Sequence, residues 1–169
     1  MRRLILFRHA KAEARLSGQE DIDRPLAARG RADALLIAQV LGREGLTPDL
    51  ALVSSSRRTR QTWECAAPVF PAARAVFADE IYNATAEEVM AVIDVHAGGG
   101  ESVIVIGHNP GLHELAVNLL IDGGASAARI DQMAARFPTA TAAAFAVDSG
   151  GRASFDGLFL ARDFGGEGE

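Results

Sequence analysis

Three polar segments rich in arginine, histidine and serine each follow directly on an apolar run of strand length. They are residues 8–9, 54–58 and 107–111, which follow the apolar runs 3–7, 49–53 and 102–106. In a parallel sheet the carboxyl ends of the strands share one edge, and ligands bind at that edge where the strand order reverses. The three segments are therefore expected to surround one pocket.

The arginines in these segments favour recognition of a phosphoryl group. Arg8 and Arg58 each offer a rigid guanidinium fork that can bridge two phosphate oxygens. Helices that begin near residues 54–56 and at Asn109 would add backbone N–H donors and the positive end of a helix dipole. Asn109 is accordingly a candidate substrate-binding residue.

Two histidines, His9 and His108, fall in the same segments. Neighbouring cations lower the pKa of an imidazole and leave it neutral, with a free lone pair, near pH 7. A neutral imidazole beside arginines is a competent nucleophile. The residues alone thus indicate an anion-binding site that contains a candidate histidine nucleophile.

Other chemistries lack the residues they need. The sequence has neither a dinucleotide-binding glycine motif after the first strand nor a Walker motif. His113-Glu114 begins a zinc-protease pattern, but Val117 stands where the second histidine should be. Cys65 is the single cysteine, which excludes an intrachain disulfide and a multi-cysteine zinc site, and it falls within a predicted helix.

Strand patterns alternate with helix patterns along the chain. Strands are predicted over 3–7, 49–53, 73–77 and 102–106, helices over 28–43, 57–69, 86–96 and after Pro110, and a late hairpin over 140–147 and 153–160. This order predicts a single-domain, three-layer α/β/α sandwich with a mostly parallel sheet. The domain is expected to span 1–164, with a frayed tail over 165–169.

Length, charge and composition limit the partners and the cellular location that we expect for this chain. The chain has 169 residues, suited to one domain, and its net charge of −5 provides no basic field for nucleic acid. The first apolar run is too short for a signal peptide, and no run is long enough to cross a membrane. We expect a cytoplasmic protein without nucleic-acid or membrane partners. The sequence does not determine the oligomeric state, for which a monomer is favoured.

The polar segments also resemble the motifs of a known family, the histidine phosphatase superfamily, which includes the phosphoglycerate mutases. The matching stretches are Arg8-His9-Ala10, residues 55–62, and Gly107-His108-Asn109-Pro110. Asp23-Arg24-Pro25-Leu26 with Gly30 is similar to the segment after the first motif in small SixA-type phosphohistidine phosphatases. The order and spacing of these motifs agree to about residue 120.

This resemblance implies a phosphoglycerate mutase-like fold and a role for each matched residue. His9 matches the nucleophile that forms a phosphohistidine intermediate, and Arg8, Arg58 and His108 match the groups that clamp the phosphate. No metal or other cofactor is expected. The family's Ser-Pro is Ser55-Ser56 here, a departure that affects the loop more than the chemistry.

The resemblance implies that the proton donor belongs to the acidic pair after the strand 73–77, where related enzymes carry an acidic residue. Glu80 is the first choice and Asp79 the reserve, with water as a third possibility. A phosphohistidine substrate would reduce the demand for this acid, because imidazole leaves more readily than an alkoxide.

These observations predict a metal-independent phosphatase acting on phosphohistidine in a protein. The partner would be a phosphorylated protein, such as a histidine-phosphotransfer protein, or a small phosphorylated substrate. The alternatives are a phosphomonoesterase or mutase acting on a small metabolite, and a catalytically weak module that binds phosphoproteins. The polar stretch 15–24 is a candidate wall of the pocket.

Overall fold

A six-stranded sheet forms the centre of the computed structural model, which describes residues 1–168. The strands are β1 (Arg3–Arg8), β2 (Leu50–Ser54), β3 (Arg74–Ala78), β4 (Ser102–Gly107), β5 (Thr141–Val147) and β6 (Ala153–Leu160), in the order β3-β2-β4-β1-β5-β6. The first four strands in this order run parallel, and β5 and β6 are antiparallel to their neighbours. The predicted mostly parallel sheet is confirmed.

Five α-helices cover the sheet. They are α1 (Ala28–Arg43), α2 (Arg57–Ala66), α3 (Ala86–His96), α4 (Gly111–Asp122) and α5 (Ala127–Ala135). The helix expected over 57–69 is α2 followed by a separate 3-10 turn at Ala67–Val69, because Pro68 cannot donate the backbone bond that a continuing α-helix needs. Helix α5 was not predicted from the sequence.

Side chains of each central strand alternate between two hydrophobic cores. Ile5 and Phe7 of β1 pack in the core under α1 and α2, whereas Leu4 and Leu6 pack in the core under α3, α4 and α5. All four are at most 1% exposed. A strand buried on both faces needs helices on both sides, so the three-layer sandwich of the phosphoglycerate mutase-like fold is confirmed.

The strand order reverses at β4, which lies between β2 and β1. Helices α1 and α2, which follow β1 and β2, lie on one face of the sheet, whereas α4, which follows β4, lies on the other face. The chain therefore leaves β4 and its two neighbours towards opposite faces. This is the switch point at which a crevice forms outside the carboxyl ends of parallel strands. Both Arg8 and Gly107 end their strands there and pair with each other.

A close backbone approach fixes the loop that follows β1. The N–H of Ala27 donates to the Lys11 carbonyl oxygen at 2.9 Å, and a Cβ atom on Gly30 would overlap that same oxygen. Glycine at position 30 therefore lets the first turn of α1 lie directly against the loop after His9.

The final residues contact the rest of the chain through two backbone donors. Gly166 donates its N–H to the Ala161 carbonyl at 2.9 Å, and Glu167 donates to the Asp33 carboxylate at 3.1 Å. Glu169, the last residue of the predicted tail, lies outside the described residues, and the boundary after 164 stays a prediction. Within 1–168, no helix combines the length and apolar character needed to span a bilayer.

Candidate active site

The backbone of His9 is held between two strands. Its N–H donates to the Gly107 carbonyl of β4 at 3.0 Å, and its carbonyl accepts from Ala140 at 3.1 Å, just before β5. The imidazole Nδ1 lies 2.8 Å from the Ala10 carbonyl oxygen, which can only accept, so Nδ1 carries the proton. The lone pair is therefore on Nε2, the atom available to a substrate.

The His9 imidazole is uncharged at neutral pH. Burial, together with the positive charges of Arg58, Arg8 and Arg24, lowers its pKa from 6.5 to about 3 against the opposing hydrogen bond to Ala10. The imidazole is thus both unprotonated and oriented, the two conditions for a histidine nucleophile.

Arg58 is presented from the first turn of α2. The helix begins there because Ser56 caps it, accepting from the Thr59 N–H. The Arg58 side chain is buried, and its Nη2 lies 3.3 Å from His108 Nδ1. Since guanidinium only donates, His108 Nδ1 must accept.

His108 follows β4 and faces His9, with ring centroids 5.2 Å apart. Its Nε2 lies 2.8 Å from the hydroxyl oxygen of Ser54 at the end of β2, and with Nδ1 accepting from Arg58 this Nε2 is the donor. Burial, His9 and Arg58 together lower the pKa of His108 to about 2. Both imidazoles are neutral before substrate arrives.

Arg8 and Asn109 are held by one acceptor, the Phe137 carbonyl oxygen, after α5. Arg8 Nη1 and Asn109 Nδ2 each donate to it at 2.9 Å. This fixes the orientation of the Asn109 amide, so its Oδ1 is buried and accepts no hydrogen bond from the described residues. Asn109 is thus fixed beside Arg8 by a shared acceptor, and its role in substrate binding stays a prediction.

An unpredicted residue, Asp21, joins the site to the preceding loop. Its carboxylate accepts from Arg58 Nη2, from Arg24 Nη1 and from the Tyr82 hydroxyl at 3.0, 3.0 and 2.9 Å, and its carbonyl accepts from Arg58 Nη1 at 2.8 Å. Partial burial raises the pKa of Asp21, but the donors Arg24, Tyr82 and Arg58 outweigh it and bring the pKa down to about 2. Asp21 lies in the polar stretch 15–24, the candidate wall of the pocket. Its place in this stretch, between the first two motifs, was the one feature of the sequence that pointed to it.

Tyr82 is a second residue that sequence reasoning missed. Its ring meets the His108 ring edge-on at 5.4 Å, and the Arg58 guanidinium lies 5.8 Å from the ring centroid. Burial and the Asp21 carboxylate raise the pKa of the phenol, so the hydroxyl stays a donor. Tyr82 closes one side of the pocket.

Glu80 and Asp79 lie on a one-turn 3-10 helix, Asp79–Ile81, directly after β3. Both side chains are exposed. Glu80 lines a surface cavity of about 610 Å³ together with Tyr82. It thus lies at the outer side of Tyr82, and its role as proton donor stays a prediction.

The contacts of His113 and Cys65, which received no functional role from the sequence, are structural. His113 is half-buried: its Nε2 lies 2.7 Å from the Met133 carbonyl oxygen and its ring stacks on Phe137. Cys65 lies in α2 as expected, and burial raises the pKa of its thiol. Among residues 1–168, no three His, Cys, Asp or Glu side chains are grouped as metal ligands.

The structure therefore brings Arg8, His9, Arg58 and His108 to one pocket, as the sequence indicated. Arg24 adds a third guanidinium, and Asp21 supplies one carboxylate, so the fixed charges in the pocket are net positive. Such a pocket attracts a dianionic phosphoryl group and offers it a neutral imidazole.

Comparison with known sequences finds a family model and uncharacterized relatives that match this chain. The family model of the histidine phosphatase superfamily, branch 1, matches residues 4–80. An uncharacterized protein of Mycobacterium tuberculosis is 33% identical over 133 residues, which are 79% of this chain and 82% of that protein. An uncharacterized chloroplastic protein of Arabidopsis thaliana is 36% identical over 125 residues, and the match spans 68% of this chain and 57% of that protein.

Solved structures of other proteins have a similar fold over nearly the whole of this chain. A protein of Agrobacterium tumefaciens assigned as the phosphohistidine phosphatase SixA superposes with a TM-score of 0.81 at 30% identity, covering 94% of this chain and 97% of that one. A mycobacterial glucosyl-3-phosphoglycerate phosphatase has a TM-score of 0.67 at 16% identity over 93% of this chain and 98% of its own, and shares the fold.

A neutral histidine among arginines at the carboxyl edge of this sheet, together with these matches, places the chain in the histidine phosphatase superfamily. Within that superfamily it is SixA-like, and it is a phosphatase.

Proposed function

We propose that this protein is a metal-independent phosphatase that forms a phosphohistidine intermediate on His9 and acts on phosphohistidine in another protein. The observation that carries the proposal is the state of His9: Nδ1 is bonded to Ala10, and burial together with three guanidiniums holds the imidazole neutral. Nucleophilic attack through Nε2 is the chemistry that this arrangement serves.

The reaction proceeds in two in-line steps. In the first, the lone pair on His9 Nε2 forms a bond to phosphorus, and the P–N bond of the substrate phosphohistidine breaks. The departing imidazole nitrogen keeps the bonding pair and takes up a proton. In the second, water attacks phosphorus, the bond to His9 breaks, and inorganic phosphate leaves with the water proton transferred to the surrounding solvent or a carboxylate.

The arginines stabilise the charge that spreads over the equatorial oxygens during transfer. Arg8 and Arg58 are both anchored by backbone carbonyls, those of Phe137 and Asp21, so they need little reorganisation when the phosphoryl group enters. His108 begins neutral, and a dianion beside it raises its pKa, which lets it donate a hydrogen bond to phosphate. Asn109 shares the Phe137 carbonyl with Arg8 and is proposed to bind the substrate beside it.

The contribution of Glu80 to the reaction rate depends on the leaving group of the substrate. An imidazole can be protonated before it departs, so water suffices as the acid, whereas an alkoxide needs a carboxylic acid within reach. Glu80 is proposed as that acid, and Asp79 as its reserve. This dependence separates phosphohistidine from ordinary phosphomonoesters as substrates.

A second candidate function is hydrolysis or transfer of phosphate on a small metabolite. It is supported by the fold shared with the glucosyl-3-phosphoglycerate phosphatase. The protein substrate is favoured by the similarity to the Agrobacterium SixA, which carries the higher identity and coverage. A histidine-phosphotransfer protein is the kind of partner we propose, and a cytoplasmic location stays a prediction.

The direct test is hydrolysis of a phosphohistidine-bearing protein and of an aryl phosphate, with a chelator present, by the wild type and by His9→Ala. We expect preference for phosphohistidine and loss of turnover in the variant. Inactivity of the wild type on both, with phosphate still bound, would favour the binding module instead. Loss of activity on adding chelator would contradict metal independence.

A further inference from the structure

An open groove lies beside the active site, between α3 and the turn after β3. It encloses about 610 Å³. Its floor is aliphatic and comes from α3, where Ala91, Val92 and Val95 lie on one helical face. Val95 is 79% exposed, so an apolar side chain faces solvent here without a partner in the described chain. Burial of such a surface by a ligand is favourable.

The rim of this groove is acidic. Glu80 lies on one side and Glu88 on the other, and no Lys or Arg is among the described residues that line it. Glu88 Oε2 accepts from the Thr85 N–H at 2.8 Å, at the start of α3. The groove therefore complements a ligand that is partly aliphatic and positively charged.

One residue connects the groove with the phosphoryl pocket. Tyr82 lines the groove, while its ring contacts His108 and its hydroxyl donates to Asp21. A substrate whose phosphoryl group reaches His9 thus has its neighbouring residues next to Tyr82. The two sites have opposite charge: the pocket is cationic and the groove anionic.

We propose that this groove binds the segment of the substrate protein that flanks the phosphorylated side chain, and that this segment carries a lysine or arginine beside a small aliphatic residue. The proposal rests on the proposed function and specifies its substrate. The phosphoryl dianion would pair with the arginines, the flanking cation with Glu80 and Glu88, and the aliphatic side chain would cover Val95 and Val92. Such paired charges select a partner and its orientation.

The test uses two phosphohistidine peptides that differ only in a flanking lysine or glutamate, with phosphoimidazole as a substrate that has no flanking residues. Two variants share one position but differ in charge, Val95→Arg and Val95→Glu. Ile121→Arg is the control, since Ile121 is an exposed aliphatic residue of α4 that does not line the groove.

We expect the wild type to prefer the lysine peptide. Val95→Arg should lower kcat/KM for that peptide about tenfold. Val95→Glu should lower it less, and neither variant should change the hydrolysis of phosphoimidazole. Ile121→Arg should behave as the wild type. Equal kcat/KM for the two peptides in the wild type, or equal losses with arginine and glutamate at position 95, would overturn the proposal.

Measurements of peptide binding distinguish the groove proposal from the proposed hydrolase function. The same two peptides with a stable phosphonate in place of phosphohistidine can be titrated against the wild type and the Val95 variants. If the wild type hydrolyses no phosphohistidine but binds the lysine peptide more tightly in a manner that Val95→Arg abolishes, the groove is confirmed and the hydrolase proposal fails. If phosphoimidazole is hydrolysed but the peptides bind equally, the hydrolase stands and the groove proposal fails.

Discussion

Arg58 and Asp21 form a two-point contact in which Arg58 Nη1 donates to the Asp21 carbonyl oxygen and Nη2 to its carboxylate, at 2.8 and 3.0 Å. The residues are 37 positions apart in the chain. A flat guanidinium held at both terminal nitrogens has little freedom to rotate, so this contact sets the plane in which Arg58 meets a phosphoryl group. The same Nη2 also faces His108.

Replacing Arg58 with lysine should therefore be severe. A single ammonium cannot reach Asp21, His108 and a phosphoryl oxygen with a fixed geometry. We expect Arg58→Lys to lower kcat/KM by about 100-fold. The control is Arg57→Lys, an exposed residue one position earlier, which should retain activity. Similar losses in the two variants would contradict the assignment of Arg58 over its neighbour.

Asp21 is expected to act through Arg58 rather than on the substrate. Removing its charge in Asp21→Asn should loosen Arg58 and lower kcat about tenfold. The pocket also becomes more positive, so inhibition by inorganic phosphate should become tighter. Steady-state kinetics with added phosphate measure both effects. A general loss of structure would instead weaken phosphate binding along with turnover, and that result would contradict a positioning role.

The stability of the protein should fall in acid because of its buried imidazoles. The unfolded chain protonates His9 near pH 6.5, whereas the folded chain does so only near pH 3. Between these values the unfolded state binds more protons, so stability decreases as the pH falls. His9→Asn removes one such group.

Urea unfolding at pH 6.5 and 5.5 measures this effect. Between the two pH values, the wild type should lose about 1 kcal/mol more unfolding free energy than His9→Asn. The same pH dependence in both proteins would mean that His9 titrates normally, and would contradict its neutral state at the site.

The effect of replacing Glu80 should depend on the leaving group of the substrate. Between two peptides that lack a flanking lysine or arginine, Glu80→Gln should lower hydrolysis of the phosphoserine peptide by at least about tenfold and leave hydrolysis of the phosphohistidine peptide within about twofold. Asp79→Asn, on the same exposed turn, is the matched control and should change neither rate. Equal losses on both substrates would show that Glu80 acts on something other than the leaving group.

Much of the fold follows from local pattern. The central strands are continuous apolar runs because both faces of the sheet are covered, and the bounds of α1 and α3 coincide with the predicted helices. The α5 helix was missed because its nine residues are rich in alanine and bury only Met133, which leaves almost no periodic signal.

The sequence likewise predicts some residues of the candidate site and misses others. Arg8, His9, Arg58 and His108 each follow the end of a strand or begin the helix after it, so the topology of a parallel sheet is enough to bring them together. Asp21 and Tyr82 meet through contacts between two loops that are 61 residues apart. No local pattern encodes such a contact, because it depends on how the loops pack against the finished sheet.

The most direct measurement is to trap the enzyme during turnover and locate the phosphoryl group. Wild-type protein mixed with phosphohistidine substrate, quenched in alkali and digested, should yield one phosphorylated peptide, with an acid-labile phosphate on His9. The His9→Asn variant should give no such peptide and no turnover, and His108→Asn should still be labelled on His9, more slowly. Turnover in His9→Asn, or a phosphoryl group on His108 in the wild type, would contradict the mechanism.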